Sequence, residues 1–265
     1  MTAGAIQDAE LDVVIVHYNT PEYLRSCLQS VYSANLDQLR RVVVVDNASP
    51  DRTVEQIGSQ FPKAVFQHSD RNRGFAAACN EGLRLTRAPF CLLLNPDALI
   101  EAPACEIMLD CMAAIEDAGI VVPRMLNMDG TLQYSCRRFP TLLAVLLRGT
   151  RLDSLLAGPV NDYLMRDWDH AQRRQVDWSI GACMLLRRKA VEGVGLLDEG
   201  FFMYYEDTDL CRRLADVGWK VYYEPTATVR HEHRRQSASL VPRRATRAHL
   251  HSLIRLFRKH RLNLW

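Results

Sequence analysis

Apolar residues in this chain gather into short unbroken runs, and each run ends in a polar cluster. Leu11-Asp12-Val13-Val14-Ile15-Val16 stops at His17-Tyr18-Asn19-Thr20-Pro21, Val42-Val43-Val44-Val45 at Asp46-Asn47-Ala48-Ser49, and Cys91-Leu92-Leu93-Leu94 at Asn95-Pro96-Asp97. Runs without alternation predict strands covered on both faces, as in a parallel sheet. Between them the spacing turns helical. Thr20 is placed to cap a helix that has Pro21 at its first position and runs to about Ala34. Further helices are expected from about Arg52 to Gln60 and from about Ala104 to Asp117, with a short strand at Ala64 to Gln67. Two strand–helix units within the first 65 residues argue for a doubly wound α/β sheet.

Asp70 to Gly82 reads as a loop entering an Ala-rich helix, where Gly74 lets the backbone approach a ligand or a neighbouring strand closely. After Asp117 the pattern loosens. Residues 123–177 read as an insertion with short helices and a hairpin-type turn at Asn127-Met128-Asp129-Gly130. Val176 to Arg187 reads as the edge of a strand pair, and Leu196 to Leu210 leads into a helix ending near Val217-Gly218. Trp219–Tyr223 and Val229–His233 are expected as two further strands. The division is a loose leader over 1–10, one domain over 11–237 and a basic helix over 238–265.

Composition narrows the class. Hydrophobic residues make up 48% and charged residues 24%, which describes a soluble globular chain with a sizeable core. A net charge of +2 gives no general case for nucleic acid, although no acid occurs after Glu232. The eight cysteines form no CxxC pair and sit mostly in apolar surroundings, so reduced core thiols and a cytoplasmic protein are expected. No signal peptide or membrane-spanning run is visible.

Four polar clusters fall at predicted strand ends: Asp46, Asp97, Glu206-Asp207 and His231/His233. Each has a plain account alone. Asp46-Asn47-Ala48-Ser49 suits a turn, Glu206-Asp207 suits a first helical turn facing the dipole, and a histidine pair on a strand is commonly structural. Ligands of open α/β sheets bind at the carboxyl ends of the strands, and four such clusters together point there.

The motifs HYNTPEYLRSCLQSV, VVVVDNASPD, NRGFAAACNEGL, LLLNPD, GACMLLRR and FFMYYEDTDLCRRL resemble those of the inverting family 2 glycosyltransferases, most closely the bacterial rhamnosyltransferase-like branch. The resemblance runs from about Leu11 to Ser237. It implies the GT-A fold, a Rossmann-like mostly parallel central sheet flanked by helices, here with a C-terminal helical appendage. It implies a nucleotide sugar donor, dTDP-rhamnose first, and a saccharide or polyprenyl-linked acceptor. Asp46 is then the acid at the nucleotide base, with Thr20 or Asn19 and Asn47 nearby. Asn72, Arg73, Gly74 and Asn80 match the loop and helix beneath the nucleotide sugar. Asn95-Pro96-Asp97 occupies the DxD position, so Asp97 is expected to hold a divalent cation, Mg²⁺ or Mn²⁺, with His231 or else His233 as a further ligand. Asp207 matches the general base, with Glu206 as the alternative or as a group holding the acceptor.

These types suit that chemistry. A hard cation held by carboxylate oxygen stabilises a departing diphosphate, and an imidazole ligand favours Mn²⁺. One carboxylate within reach suffices as base, and burial against Phe201, Phe202, Tyr204 and Tyr205 would raise its pKa usefully. Asn95 replaces the first Asp of the motif and adds no charge. Rival readings keep the enzyme with a UDP-hexose or UDP-N-acetylhexosamine donor, or make the chain a glycan-binding scaffold. A sugar nucleotidyltransferase would need a Gly-rich basic loop after the first strand, which His17 to Pro21 is not.

In the tail, Leu250, Leu253, Ile254 and Phe257 recur at helical spacing among Arg243, Arg244, Arg247, Arg255, Arg258, Lys259 and Arg261. Such a helix packs on the domain, packs on a second copy in a homodimer, or lies on anionic lipid at the inner face of the plasma membrane. Arg234 and Arg235 could close over the diphosphate.

Overall fold

The unbroken apolar runs form the middle of one large sheet. The computed structural model describes residues 10–50, 53–147, 157–232 and 243–260. In chain order the first half holds β1 (Leu11–His17), α1 (Pro21–Ser33), β2 (Leu39–Asp46), α2 (Thr53–Gln60), β3 (Ala64–His68), α3 (Phe75–Leu85), β4 (Phe90–Leu94), β5 (Ala98–Ile100), α4 (Ala104–Ala114) and β6 (Ala118–Leu126). The second half holds β7 (Cys136–Arg137), α5 (Leu142–Leu147), α6 (Ala157–Tyr163), β8 (Arg174–Val176), β9 (Trp178–Ser179), β10 (Cys183–Arg187), α7 (Arg188–Gly193), α8 (Glu206–Asp216), β11 (Lys220–His231) and α9 (Arg243–His260).

The nine-stranded sheet has the order β3-β2-β1-β4-β10-β6-β11-β5, with β8 pairing beside β11. Strands β1, β2, β3, β4, β6 and β11 all run the same way, and β5, β8 and β10 run against them. Both faces are covered. Val14, Val43, Leu93, Ile120 and Met184 meet α3 and α8, while Val13, Val44, Leu92, Val121 and Leu185 meet α1 and α4. Fully burying one such side chain contributes roughly 1.5–3 kcal/mol, which is why the runs could not tolerate alternation. All eight cysteines are free and buried in these two layers, as expected. No helix among the described residues is long and apolar enough to cross a membrane.

Four expectations change. Cys183–Arg187 is not an edge: β10 lies in mid-sheet between β4 and β6, antiparallel to both, and its Cys-Met-Leu-Leu run is buried throughout. Ala118–Leu126 is a central strand that Pro123 disguised, since Pro removes a ladder donor. The two late strands are one, β11, whose register slips between Glu224 and Thr228 as Pro225 passes. Thr20 occupies the N-cap of α1 but makes no side-chain cap; its hydroxyl lies 3.2 Å from His17 Nδ1 instead.

Candidate active site

The C-terminal ends of the parallel strands gather the polar clusters on one rim of the sheet. Asp46 ends β2 opposite His17 of β1 and His68 of β3. Its Oδ1 accepts from the Ser49 amide (3.2 Å) and hydroxyl (2.5 Å), and its Oδ2 lies 3.3 Å from His68 Nδ1. In front of it is a cleft of about 410 Å³ lined by Ser49, Glu55, His68 and Asp70. The Asn19 amide donates to Ser49 Oγ (2.9 Å), which draws the β1 loop to the same cleft. Thr20 flanks it through His17. His68 was not anticipated; its place at a strand end in register with Asp46 is the signal that could have found it.

Asn47 and Asn72 shape the loop rather than project from it. Asn47 Nδ2 donates to Asn72 Oδ1 (3.1 Å) and Gly74 O (3.2 Å), and its Oδ1 accepts from the Arg73 amide (3.1 Å). Asn72 Oδ1 also accepts from the Gly74 amide (3.0 Å). Gly74 then passes directly under Phe202: a Cβ there would lie 2.3 Å from Phe202 O, and the Phe75 amide donates to that oxygen at 2.7 Å. The close approach expected of Gly74 is made to the loop before α8.

That loop is clamped from below. Asn80, buried in α3, donates to Leu197 O (2.8 Å) and Glu199 Oε1 (3.1 Å) and accepts from the Leu197 amide (3.1 Å). Arg73 and Arg84 both pair with Glu199. Arg73 and Asn80 thus hold the wall of the site. Tyr204 and Tyr205 follow with φ of 71° and 66°, a left-handed pair that costs of order 1–3 kcal/mol per residue and turns the chain into α8.

Glu206 and Asp207 open α8. Asp207 Oδ1 accepts from the Thr208 amide (2.7 Å) and Oδ2 from the Gly181 amide (3.0 Å). Next in the chain, Ala182 O accepts from the Asn95 amide (2.8 Å). Two hydrogen bonds and one peptide unit therefore tie Asp207 to the Asn95-Pro96-Asp97 turn. Glu206 is more buried than Asp207, and its Oε2 has no hydrogen bond. Burial, then the neighbouring Asp207 carboxylate, pushes the Glu206 pKa well up. Burial also raises Asp207, opposed by the Thr208 and Gly181 amides. Burial thus pushes both carboxyls of this adjacent pair up, Glu206 further than Asp207, whose oxygens accept two amides.

Asp97 lies between β4 and β5, 26% exposed, and its Oδ1 is buried without a hydrogen bond. Facing that oxygen at 3.4 Å is Nε2 of His231, the last residue of β11. Gln133 Oε1 meets the other ring nitrogen of His231 at 2.8 Å. Asn95 Oδ1 is likewise buried without a hydrogen bond. An unbonded carboxylate oxygen opposite an imidazole nitrogen fits a divalent cation that takes its remaining ligands from a diphosphate and water. Among the described residues no group of three or more potential metal-ligating side chains occurs, and Asp97 and His231 stand as a facing pair. His233, Arg234 and Arg235 lie outside the described residues.

Helix α9 settles on the back of this wall. Leu256 is buried against Phe201 and Tyr205, while Leu250 and Ile254 are exposed. Buried Asp209 takes Arg213 (2.8 Å), Lys259 (2.7 Å) and His260 (2.7 Å), and Asp198 takes Arg255 (3.0 Å) and Lys259 (2.7 Å). Basic side chains read as a solvent or membrane face are thus partly spent inside the domain.

The Glycosyl transferase family 2 model matches residues 12–195. The chain is 27% identical, over 96% of its length and 86% of the relative's, to the N-acetylglucosaminyl-diphospho-decaprenol L-rhamnosyltransferase of Mycobacterium tuberculosis. It is 24% identical to rhamnosyltransferase WbbL of Escherichia coli, over 94% and 93% of the two chains. Among solved structures, a mannosyltransferase from Pyrobaculum calidifontis in complex with GDP-Man and Mn²⁺ superposes with a TM-score of 0.63 at 18% identity, covering 94% of this chain and 64% of that one. This chain therefore spans less than two thirds of that enzyme, and the likeness is one of fold.

Proposed function

We propose, from the premise that this chain belongs to glycosyl transferase family 2, that it transfers L-rhamnose from dTDP-rhamnose to a saccharide or polyprenyl-linked saccharide with inversion. The observation that carries the reading is the unbonded Asp97 Oδ1 facing His231 Nε2, tied through Ala182 and Gly181 to Asp207. The rhamnosyl donor rests on the two rhamnosyltransferase relatives. The cleft before Asp46 takes the nucleotide base, and the rim between it and Asp97 takes the diphosphate.

The reaction forms a bond from an acceptor oxygen to the sugar's anomeric carbon and breaks the bond from that carbon to the diphosphate oxygen. Asp207 takes the acceptor proton on the face opposite the leaving group. Glu206, carrying its proton, leaves Asp207 as the one charged carboxylate of the pair. A divalent cation at Asp97 and His231 would neutralise charge growing on the leaving diphosphate. Phe202 and the Tyr204–Tyr205 turn wall the acceptor side. Membrane contact through Arg247, Leu250, Ile254 and Arg258, all exposed on α9, would suit a polyprenyl-linked acceptor.

The test is turnover and binding across dTDP- and UDP-sugars with Mg²⁺, Mn²⁺ or EDTA. Metal-dependent turnover of dTDP-rhamnose alone is expected. Preference for a UDP-hexose or UDP-N-acetylhexosamine would remove the rhamnosyl assignment and keep the mechanism. Binding of no nucleotide sugar would make the chain a scaffold subunit.

A further inference from the structure

The segment that sequence patterning left without a role supplies the side chain behind the candidate cation site. Gln133 lies just after the Asn127–Gly130 turn, which the Gly130 amide closes onto Asn127 O (2.9 Å). It is 8% exposed, and its backbone amide is fixed on Met125 O of β6 (2.9 Å).

The Gln133 amide orientation follows from its other neighbour. Nε2 donates to Asn127 Oδ1 (3.0 Å), and Asn127 Nδ2 donates to Thr131 Oγ1 (2.9 Å). Thr131 Oγ1 in turn donates to Asp129 Oδ1 (2.6 Å). Every donor and acceptor in this chain of bonds is used in one direction, and Asp129, an obligate acceptor when ionised, sets that direction. Gln133 Oε1 is therefore the atom that meets His231 Nδ1 at 2.8 Å, and a carbonyl oxygen only accepts. The Nδ1 atom must carry the proton, which leaves Nε2 as the nitrogen aimed at Asp97 Oδ1, 3.4 Å away.

We propose that Gln133 is a positioning residue for the cation site: it fixes His231 in the Nδ1–H tautomer and orients Nε2 as the metal-binding nitrogen beside Asp97. This rests on the reading of Asp97 and His231 as the cation's protein ligands. A ring free to take the opposite tautomer would present N–H to the metal and would first have to lose that proton. Partners of this kind on ligating histidines are worth roughly 10–100-fold in metal affinity.

The test measures Mn²⁺ directly. Electron paramagnetic resonance of free Mn²⁺ is read for the full chain, alone and with dTDP or UDP. The variants are Gln133→Leu, His231→Ala and the two combined, each checked for an unchanged circular dichroism spectrum. Gln133→Leu is expected to weaken Mn²⁺ binding roughly 10–100-fold, and to add nothing in the His231→Ala background. Independently of any variant, ¹⁵N chemical shifts of the His231 ring in the metal-free wild type are expected to show a protonated Nδ1. An Nε2–H tautomer, wild-type Mn²⁺ affinity in Gln133→Leu, or no Mn²⁺ binding by the wild type would each overturn the inference. Mn²⁺ binding that depends on Gln133 without transfer of any sugar would sustain it and sink the proposed function. Sugar transfer with Mn²⁺ binding indifferent to Gln133 would do the reverse.

Discussion

Replacing Gly74 with Ala should damage stability and catalysis together, because one backbone position carries both. Gly74 has φ 91° and ψ 171°, a region only glycine populates freely, so an Ala there stores of order 1–3 kcal/mol of strain. Its Cβ would also stand 2.3 Å from Phe202 O and 2.8 Å from Phe202 Cα, which is backbone and cannot rotate aside. Relief requires the loop to lift, breaking the 2.7 Å bond from the Phe75 amide to Phe202 O at a cost of about 1 kcal/mol. The sum is about 2–4 kcal/mol, equivalent to a fall of roughly 1–2 M in the urea midpoint for an m-value of about 2 kcal/mol/M. The lifted loop leads through Tyr204 and Tyr205 into Asp207, so kcat should fall at least tenfold even under conditions where the variant is fully folded. Gly218→Ala is the control. Its φ is 92° with nothing within 4 Å of the added carbon, so strain alone, about 1–2 kcal/mol, should appear with unchanged kcat. Equal destabilisation in the two variants, with wild-type kcat in both, would refute the reasoning.

Further outcomes follow from the same site. Asp97→Ala should abolish transfer while Asn95→Ala only weakens it, measured as initial rates against Mn²⁺ concentration; equal and mild losses would remove Asp97 as the cation's anchor. Glu206→Gln should keep the thermal midpoint and most of kcat, because burial favours the neutral acid there, whereas Asp207→Asn should lower kcat by roughly 10²–10⁴-fold. Activity should also fall as pH drops through the raised Asp207 pKa, since the base must be ionised. Burial alone would raise the pKa of Asp198, but Lys259, the Gly200 amide and Arg255 hold it down at about 2 against an ordinary 3.8. A carboxylate depressed in the folded state stabilises above its unfolded pKa and loses that contribution as pH falls through the folded value. Asp198 should thus contribute on the order of 2 kcal/mol at neutral pH, fading from about pH 4 toward pH 2, and Asp198→Asn should flatten that limb of a urea-midpoint-versus-pH curve.

Much of this protein is written locally. The middles of strands β1, β2 and β4 are legible because both of their faces are buried, so residues 13–16, 42–45 and 91–94 are apolar throughout and no partner's identity is needed to see it. Their polar ends, Asp46 and Asp97, are legible for the same reason: the apolar run stops where the strand leaves the covered part of the sheet. The Glu206-Asp207 pair and the motif series were equally visible in order along the chain, and they sufficed to name the family.

Tertiary structure decided what depends on who lies opposite. Pro123 disguises β6, and the run of β10 reads as an edge from sequence, because an apolar run does not say which neighbours pair with it. Asn80, which the resemblance puts in the helix beneath the nucleotide sugar, bonds Leu197 and Glu199, more than 100 positions away. Helix α9 shows the same limit. Its spacing singles out Leu250, Leu253, Ile254 and Phe257, yet Leu250 and Ile254 are exposed and the domain takes Leu253, Leu256, Arg255, Lys259 and His260, because the surface under it presents Asp198 and Asp209 beside Phe201. Gln133 had no periodicity to betray it. Its meaning lies in a single hydrogen bond to a histidine 98 residues later. Periodicity records which side of an element is buried; the partner of a lone polar atom is fixed only when the chain has folded around it.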